Sequence, residues 1–328
     1  MKRYIVRRFL YMLLLLFFGS MVSFLIITLP PGDYLSYYVD RVSMSGASVS
    51  EEDLAGLRSF YGLDQPVYIQ YFKWLSRVLQ GDLGRSFAWN NRQVSELIGE
   101  RLPMTIVVAF GSLIVTYVIA IPIGVYSAVK QYSIPDYLAT FFGFIGLSVP
   151  PFLLALVVMM YANSTFGISI GGLYSPEYDN APWSVGKLMD LLAHLPVPLI
   201  VIGLGGTAHL IRTMRATLLD ELRKPYVQTA RAKGVEEWEL LRTYPVRVAL
   251  VPIAATVGWA LPAIFSGSVI VGIVLNLPTI GPLLYSALTT EDMFLAASTV
   301  MISMALTLVG TFLSDILLAI LDPRIQYG

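Results

Sequence analysis

Cysteine is absent from this 328-residue chain, which excludes disulfides, thiolate metal sites and thiol catalysis together. Histidine occurs only at His194 and His209, too few for a histidine-rich metal site. Charge is scarce at 13% of residues, and 22 basic side chains balance 22 acidic ones. There is no basic tail and no case for a nucleic-acid partner. No G-x-x-x-x-G-K-[ST] sequence occurs, so the chain does not itself bind ATP through a P-loop. Gly203-Leu204-Gly205-Gly206-Thr207-Ala208 fits a loose dinucleotide-binding pattern, but it lies inside an apolar stretch with no strand before it. Close helix packing is the better account of those glycines. These absences leave no catalytic residue, no metal ligand and no cofactor to assign.

What is abundant is apolar surface: 56% of the residues are hydrophobic. A soluble fold of this size cannot hide that much, and lipid is the natural solvent for the surplus. Six apolar stretches stand out, at 9–29, 102–128, 136–162, 191–211, 248–275 and 294–320. Each is near the ~20 residues a helix needs to cross the hydrocarbon core. The expected fold is therefore an all-α integral membrane protein with six transmembrane helices. Lys2, Arg3, Arg7 and Arg8 followed by the run Phe9–Leu29 mimic a signal peptide, but the run is too long and no small-residue cleavage site follows it, so it is expected to be an uncleaved span. Pro150-Pro151 after Ser148 predicts a kink in the third helix. With both termini inside, the inside segments hold 14 basic residues in 59 positions and the outside segments 8 in 118. This asymmetry predicts a multi-pass protein of the cell (inner) membrane with both termini cytoplasmic, decided mainly by the basic 212–247 loop.

The outside region 30–101 has helical signals of its own. Ser50-Glu51-Glu52-Asp53 reads as a capping box opening a helix to about Tyr61, with Gly62 as its stop. Pro66 starts a second helix whose apolar positions are Tyr68, Tyr71, Phe72, Leu75, Val78 and Leu79, and Gly81-Asp82-Leu83-Gly84 ends it.

The most informative segment is the inside loop from Arg223 to Trp238. Pro225 suits the first position of a short helix, and Gly234 its left-handed C-cap. The helix has small residues (Thr229, Ala230, Ala232) and cationic ones (Arg231, Lys233), with Tyr226 at its start. A second helix runs from Glu236 to Tyr244 before Pro245. Small side chains let another surface approach, and caps make the element rigid, which suits a lever gripped by a partner. The alternative is a solvated basic loop that only fixes topology.

Thr229-Ala230-Arg231-Ala232-Lys233-Gly234 resembles the coupling loop of ABC-importer permeases, in the form used by the dipeptide/oligopeptide/nickel permease subgroup. Of the general signature of that loop only Ala230 and Gly234 match. Three further segments resemble the subgroup in order. Arg7-Arg8-Phe9 opens a helix ending in Pro31-Gly32-Asp33; Tyr61-Gly62-Leu63-Asp64-Gln65-Pro66 precedes Gly81-Asp82-Leu83-Gly84-Arg85-Ser86; and Leu321-Asp322-Pro323-Arg324-Ile325 closes the chain. The resemblance implies a type I ABC importer permease core over 102–328, preceded by an N-terminal helix and external region over 1–101. It also implies a second homologous permease as heterodimer partner, two cytoplasmic ATPase subunits and an external solute-binding protein. The chain is then a non-catalytic half of a translocation pathway for a peptide, oligosaccharide or nickel complex. A membrane-embedded enzyme and an ATP-independent channel or carrier are the competing classes. The first lacks a converging set of acids, histidines or serines, and the second has no use for a lever.

Polar residues within the spans are the remaining candidates. Ser266, Ser268 and Ser303 are expected to face a pore. Thr299, Ser303, Thr307 and Thr311 form a four-residue-spaced stripe in the sixth span, read as helix-packing glue in preference to a pore lining. Asp315 is expected either to snorkel to the interface or to pair with an arginine of the 212–247 loop, and His209 to sit at the end of the fourth helix, near the interface.

Overall fold

The computed structural model describes residues 2–28, 64–86, 88–167, 170–179 and 181–321, with positions 39, 50, 55, 56 and 59 between the first two stretches. Of the helix expected over 50–61 only positions 50, 55, 56 and 59 are described, the last three of them helical; the Pro31-Gly32-Asp33 segment and Asp322-Pro323-Arg324-Ile325 lie outside the described residues. Thirteen helices are seen among those residues, and no strand. They are α1 (Lys2–Thr28), α2 (Val67–Leu79), α3 (Val94–Val129), α4 (Ile134–Ser148), α5 (Pro151–Phe166), α6 (Val185–His194), α7 (Pro196–Leu222), α8 (Pro225–Ala232), α9 (Glu237–Thr243), α10 (Pro245–Ala255), α11 (Val257–Val274), α12 (Ile280–Thr289) and α13 (Met293–Leu321).

Five helical stretches are long and apolar enough to cross a membrane, within α1, α3, the run Val185–Leu222 made of α6 and α7, α11 and α13. The pair α4 and α5, bent by 106° at the break between them, makes a sixth if it crosses as one span. The expected kink is thus a full break. Val149 is extended and Pro150 caps α5, because neither proline of the pair has an N–H with which to continue the ladder. The fifth apolar stretch is likewise divided, α10 ending at Ala255 and α11 starting at Val257. The fourth is longer than its apolar run. Helix α7 continues through His209, Arg212 and Arg215 to Leu222, because hydrophobicity marks the lipid-facing length and not the helix end.

Two compact units are distinguished. The first comprises residues 9–105 and 279–308. Its core joins Phe24 of α1, Tyr71 and Trp74 of α2, Leu97 and Ile98 of α3, Leu283 of α12 and Leu295 of α13. On α2 the apolar face is narrower than the sequence suggests. Tyr68, Phe72 and Leu79 are exposed, whereas Trp74, absent from the expected set, is buried. The helix ends as expected at Gly81, whose φ of 85° closes a turn with Asp82 N–H on the Arg77 carbonyl at 2.9 Å. Asp292 then ties the loop after α2 to α13. Its Oδ2 accepts from Ser86 Oγ at 2.5 Å and Ala88 N at 3.1 Å, while Oδ1 accepts from Leu295 N at 3.2 Å. Thr105 Oγ1 similarly accepts the first amide of α12, Ile280 N, at 2.9 Å.

The second unit comprises residues 1–8, 106–278 and 309–328. Helix α7 is its axis, with α4, α5, α10 and α11 packed along it. Glycines bring α3 close. A Cβ on Gly124 would lie 2.6 Å from Met214 Cβ, and one on Gly203 would lie 2.6 Å from Thr116 Oγ1. The expectation that the glycines of 203–208 serve packing holds at Gly203, where Thr116 Oγ1 donates to the Gly203 carbonyl at 3.1 Å and to its own helix at Ser112 O.

Candidate functional site

The loop 223–244 folds as a helix-turn-helix. Lys224 is extended and Pro225 opens α8, where its missing N–H costs nothing. At the other end Gly234 has φ of 80°, Gly234 N–H reaches the Arg231 carbonyl at 3.1 Å, and Val235 N–H reaches Ala230 O at 3.3 Å. This is the Schellman pattern, completed by apolar contact of Val235 with a miniature core of Val227, Ala230 and Leu240. Arg231 spans the turn to Glu237, with Nε–Oε2 at 3.0 Å and Nη2–Oε1 at 2.5 Å. The hydrogen bond from Arg231 holds the Glu237 carboxyl below its usual range. Tyr226 Oη donates to Glu221 Oε2 at 2.5 Å, and desolvation together with Glu221 pushes the phenol up to about 12.

This geometry changes the expected lever surface at one position. Ala230 is not on the outer face. It is 8% exposed and turned onto Leu240, because its position faces α9 across the turn. Arg231 is engaged within the loop by Glu237. Tyr226, Thr229, Ala232 and Lys233 remain exposed, joined by Trp238 at 69%. The sequence reading overlooked Val227 and Leu240, the two fully buried residues that hold α8 on α9. Their signal was the apolar pair bracketing Gly234.

Within the apolar part of the unit built on α7, a cavity of about 350 Å³ is lined by Thr116, Gly203, Gly206, His209, Trp259 and Gly267, among others. His209 does not sit at a helix end. It lies mid-α7, edge-on to Trp259 with ring centroids 5.2 Å apart. Thr256 at the α10–α11 junction is held by Tyr117, hydroxyl to hydroxyl at 2.6 Å. Ser266 and Ser268 are on α11 in the same unit; Ser266 is exposed, and Ser268 donates to Phe265 O at 2.8 Å. Ser303 belongs to the other unit, on α13. Its hydroxyl donates to Thr299 O at 2.7 Å, as Thr307 donates to Ser303 O at 2.9 Å. Asp315 pairs with Arg8 at 3.2 Å, not with the 212–247 loop. Arg215, at the start of that segment, meets Asp136 at 2.9 Å.

Comparison with known proteins gives this arrangement its family. Residues 120–327 match the binding-protein-dependent transport system inner membrane component, and residues 1–109 match the N-terminal region of the same kind of component. The chain belongs to this family. It is 36% identical, over the full length of both chains, to the oligopeptide transport system permease protein AppB of Bacillus subtilis. It is 32% identical over 99% of both chains to a protein of Brucella ovis named as a peptide permease. The inner membrane ABC transporter permease protein YejB of Escherichia coli O157:H7 is 32% identical over 286 residues, 86% of this chain and 78% of that one. The protein is thus a multi-pass membrane permease of a multi-component ABC importer, and its part in the cycle is movement, not bond chemistry.

Proposed function

We propose that this permease forms half of the translocation pathway of an ATP-driven importer for short peptides, and that α8 is the lever by which its ATPases drive it. The observation that carries the reading is the self-braced α8–α9 hairpin: a short helix fixed at both ends, with Tyr226, Thr229, Ala232 and Lys233 exposed. A topological loop needs no such bracing. The peptide class is supported by the names of relatives that match along the whole chain. Both termini and the α8–α9 hairpin are cytoplasmic in this reading, on the strength of the basic-residue asymmetry. The chain acts with a second permease, two ATPases and an external binding protein. Residues 102–328 form the permease core, and 1–101 add a helix and an external region. Ser266, Ser268 and Ser303 face the path during the cycle.

The test is reconstitution. The permease pair, purified with its ATPases into vesicles, should take up a labelled short peptide only with ATP and binding protein present. Failure of ATPases to copurify, or uptake indifferent to ATP, would sink the reading in favour of an ATP-independent carrier.

A further inference from the structure

Arg215 and Asp136 form a contact that the lever hypothesis alone does not need. Asp136 stands in the first turn of α4, after Ser133 and Pro135. Its Oδ2 reaches back to accept from Tyr132 N–H at 3.0 Å, in the manner of a capping box. That holds Tyr132 at φ of 59°, a conformation which an aromatic residue seldom takes. The same Oδ2 accepts from Arg215 Nη2 at 2.9 Å. Arg215 Nε donates to Ser127 O, in the last turns of α3, at 3.4 Å. One guanidinium on α7 therefore grips the end of α3 and the start of α4. The carboxylate is nearly fully buried, at 3% exposure, and the guanidinium is 30% exposed.

Two further atoms distinguish this cluster from a simple staple. Asp136 Oδ1 and Ser127 Oγ are both buried, and neither has a hydrogen-bond partner among the described residues. The cluster thus holds a spare acceptor and a spare donor on the two groups that Arg215 bridges. A purely structural contact at this depth is usually better made of apolar side chains, because a buried ion pair loses hydration that its attraction scarcely returns. A guanidinium fixed to two neighbouring helices at once suits a contact that keeps its geometry while the helices move.

Position gives the contact its use. Arg215 is seven residues before the end of α7 at Leu222, roughly two helical turns, and α8 opens at Pro225. A displacement of α8 reaches the bundle through this last part of α7. On the importer reading above, on which this inference rests, we propose that Asp136 and Arg215 are positioning residues for energy coupling. They clamp α3, α4 and α7 so that motion of the lever moves three helices together.

The experiment uses the intact reconstituted importer and reads peptide taken up per ATP hydrolysed. Asp136→Asn and Arg215→Gln each leave one charge without its partner and are expected to lower assembled yield. The double variant Asp136→Asn/Arg215→Gln leaves no unpaired charge and is expected to assemble. In it, uptake per ATP should fall roughly 2- to 30-fold, the span of couplings carried by single contacts, while hydrolysis continues. Arg215→Lys keeps the charge but loses the fork, and should fall between the double variant and wild type. A merely structural pair would lower yield or thermal stability and leave the ratio untouched. Wild-type importer with ATP-driven uptake and an unchanged ratio in the double variant would overturn the clamp alone. Wild type without ATP-driven uptake would overturn the importer reading and the clamp with it.

Discussion

Replacing Gly234 by valine isolates the lever's cap from its packing. The glycine sits at φ of 80°, and a Cβ built there would meet no atom within 4 Å. The added Cβ therefore meets no neighbour, and backbone strain is the main effect. An L-residue in the left-handed region costs about 1–2 kcal/mol, and a β-branched one stands at the upper end. That cost falls on a helix of only eight residues, too short to stand alone, held by the small core of Val227, Ala230, Val235 and Leu240. A shift of about 1–2 kcal/mol changes the ratio of capped to frayed lever by roughly 5- to 30-fold. Asparagine tolerates the left-handed region, so Gly234→Asn should retain most of the function. The assay is ATP-dependent peptide uptake in vesicles, with ATP hydrolysis measured in parallel and insertion checked by yield. Gly234→Val should keep hydrolysis and lose uptake several-fold. Wild-type uptake in Gly234→Val, or equal losses in the Val and Asn variants, would refute the argument from backbone geometry.

Further outcomes can be checked in the same preparation. Ala230→Glu puts a carboxylate against Leu240 and should destabilise the α8–α9 hairpin by roughly 1–3 kcal/mol, which increased protease nicking between residues 223 and 244 would report; unchanged resistance would mean that Ala230 is not an internal contact. Gly203→Val should reduce assembled permease, since even its Cβ would lie 2.6 Å from Thr116 Oγ1 and 3.2 Å from Ser112 O, and overpacking of this kind costs ~1–3 kcal/mol; normal yield and melting temperature would contradict the close approach of α3 and α7. Arg231→Ala removes an exposed ion pair worth at most about 1 kcal/mol and should leave uptake nearly unchanged at physiological salt, whereas a complete loss would show that Arg231 contacts the ATPase directly. For topology, a single cysteine at Val185, which is 79% exposed, should react with an impermeant thiol reagent in intact cells, and one at Trp238 should not; the reverse pattern would invert the orientation. Ser86, although within the expected outside region, is fully buried against Asp292 and is unsuitable as a reporter.

The sequence alone determined the class and the capped short helix. Apolar run length fixes a membrane solvent, because no soluble fold hides so much hydrocarbon. The order Pro225, Ala230, Gly234 fixes a capped short helix, because each residue acts through its own backbone torsions or those of its neighbours. Family likeness was legible for the same reason: its motifs are short and contiguous. What could not be read was every feature that depends on residues far apart in the chain. Ala230 seemed to be an outer residue until Leu240 was seen beneath it. Asp315 chose Arg8, more than three hundred positions away, over the nearer loop. No local pattern marks Asp136 and Arg215 as partners. Their contact exists only because α4 lies along α7. The break at Pro150 was legible, but its 106° was not, since proline removes a hydrogen bond without dictating where the next helix packs. Local chemistry writes the caps and spans; partnerships between distant polar groups are set by which helix faces meet, and only the folded chain decides that.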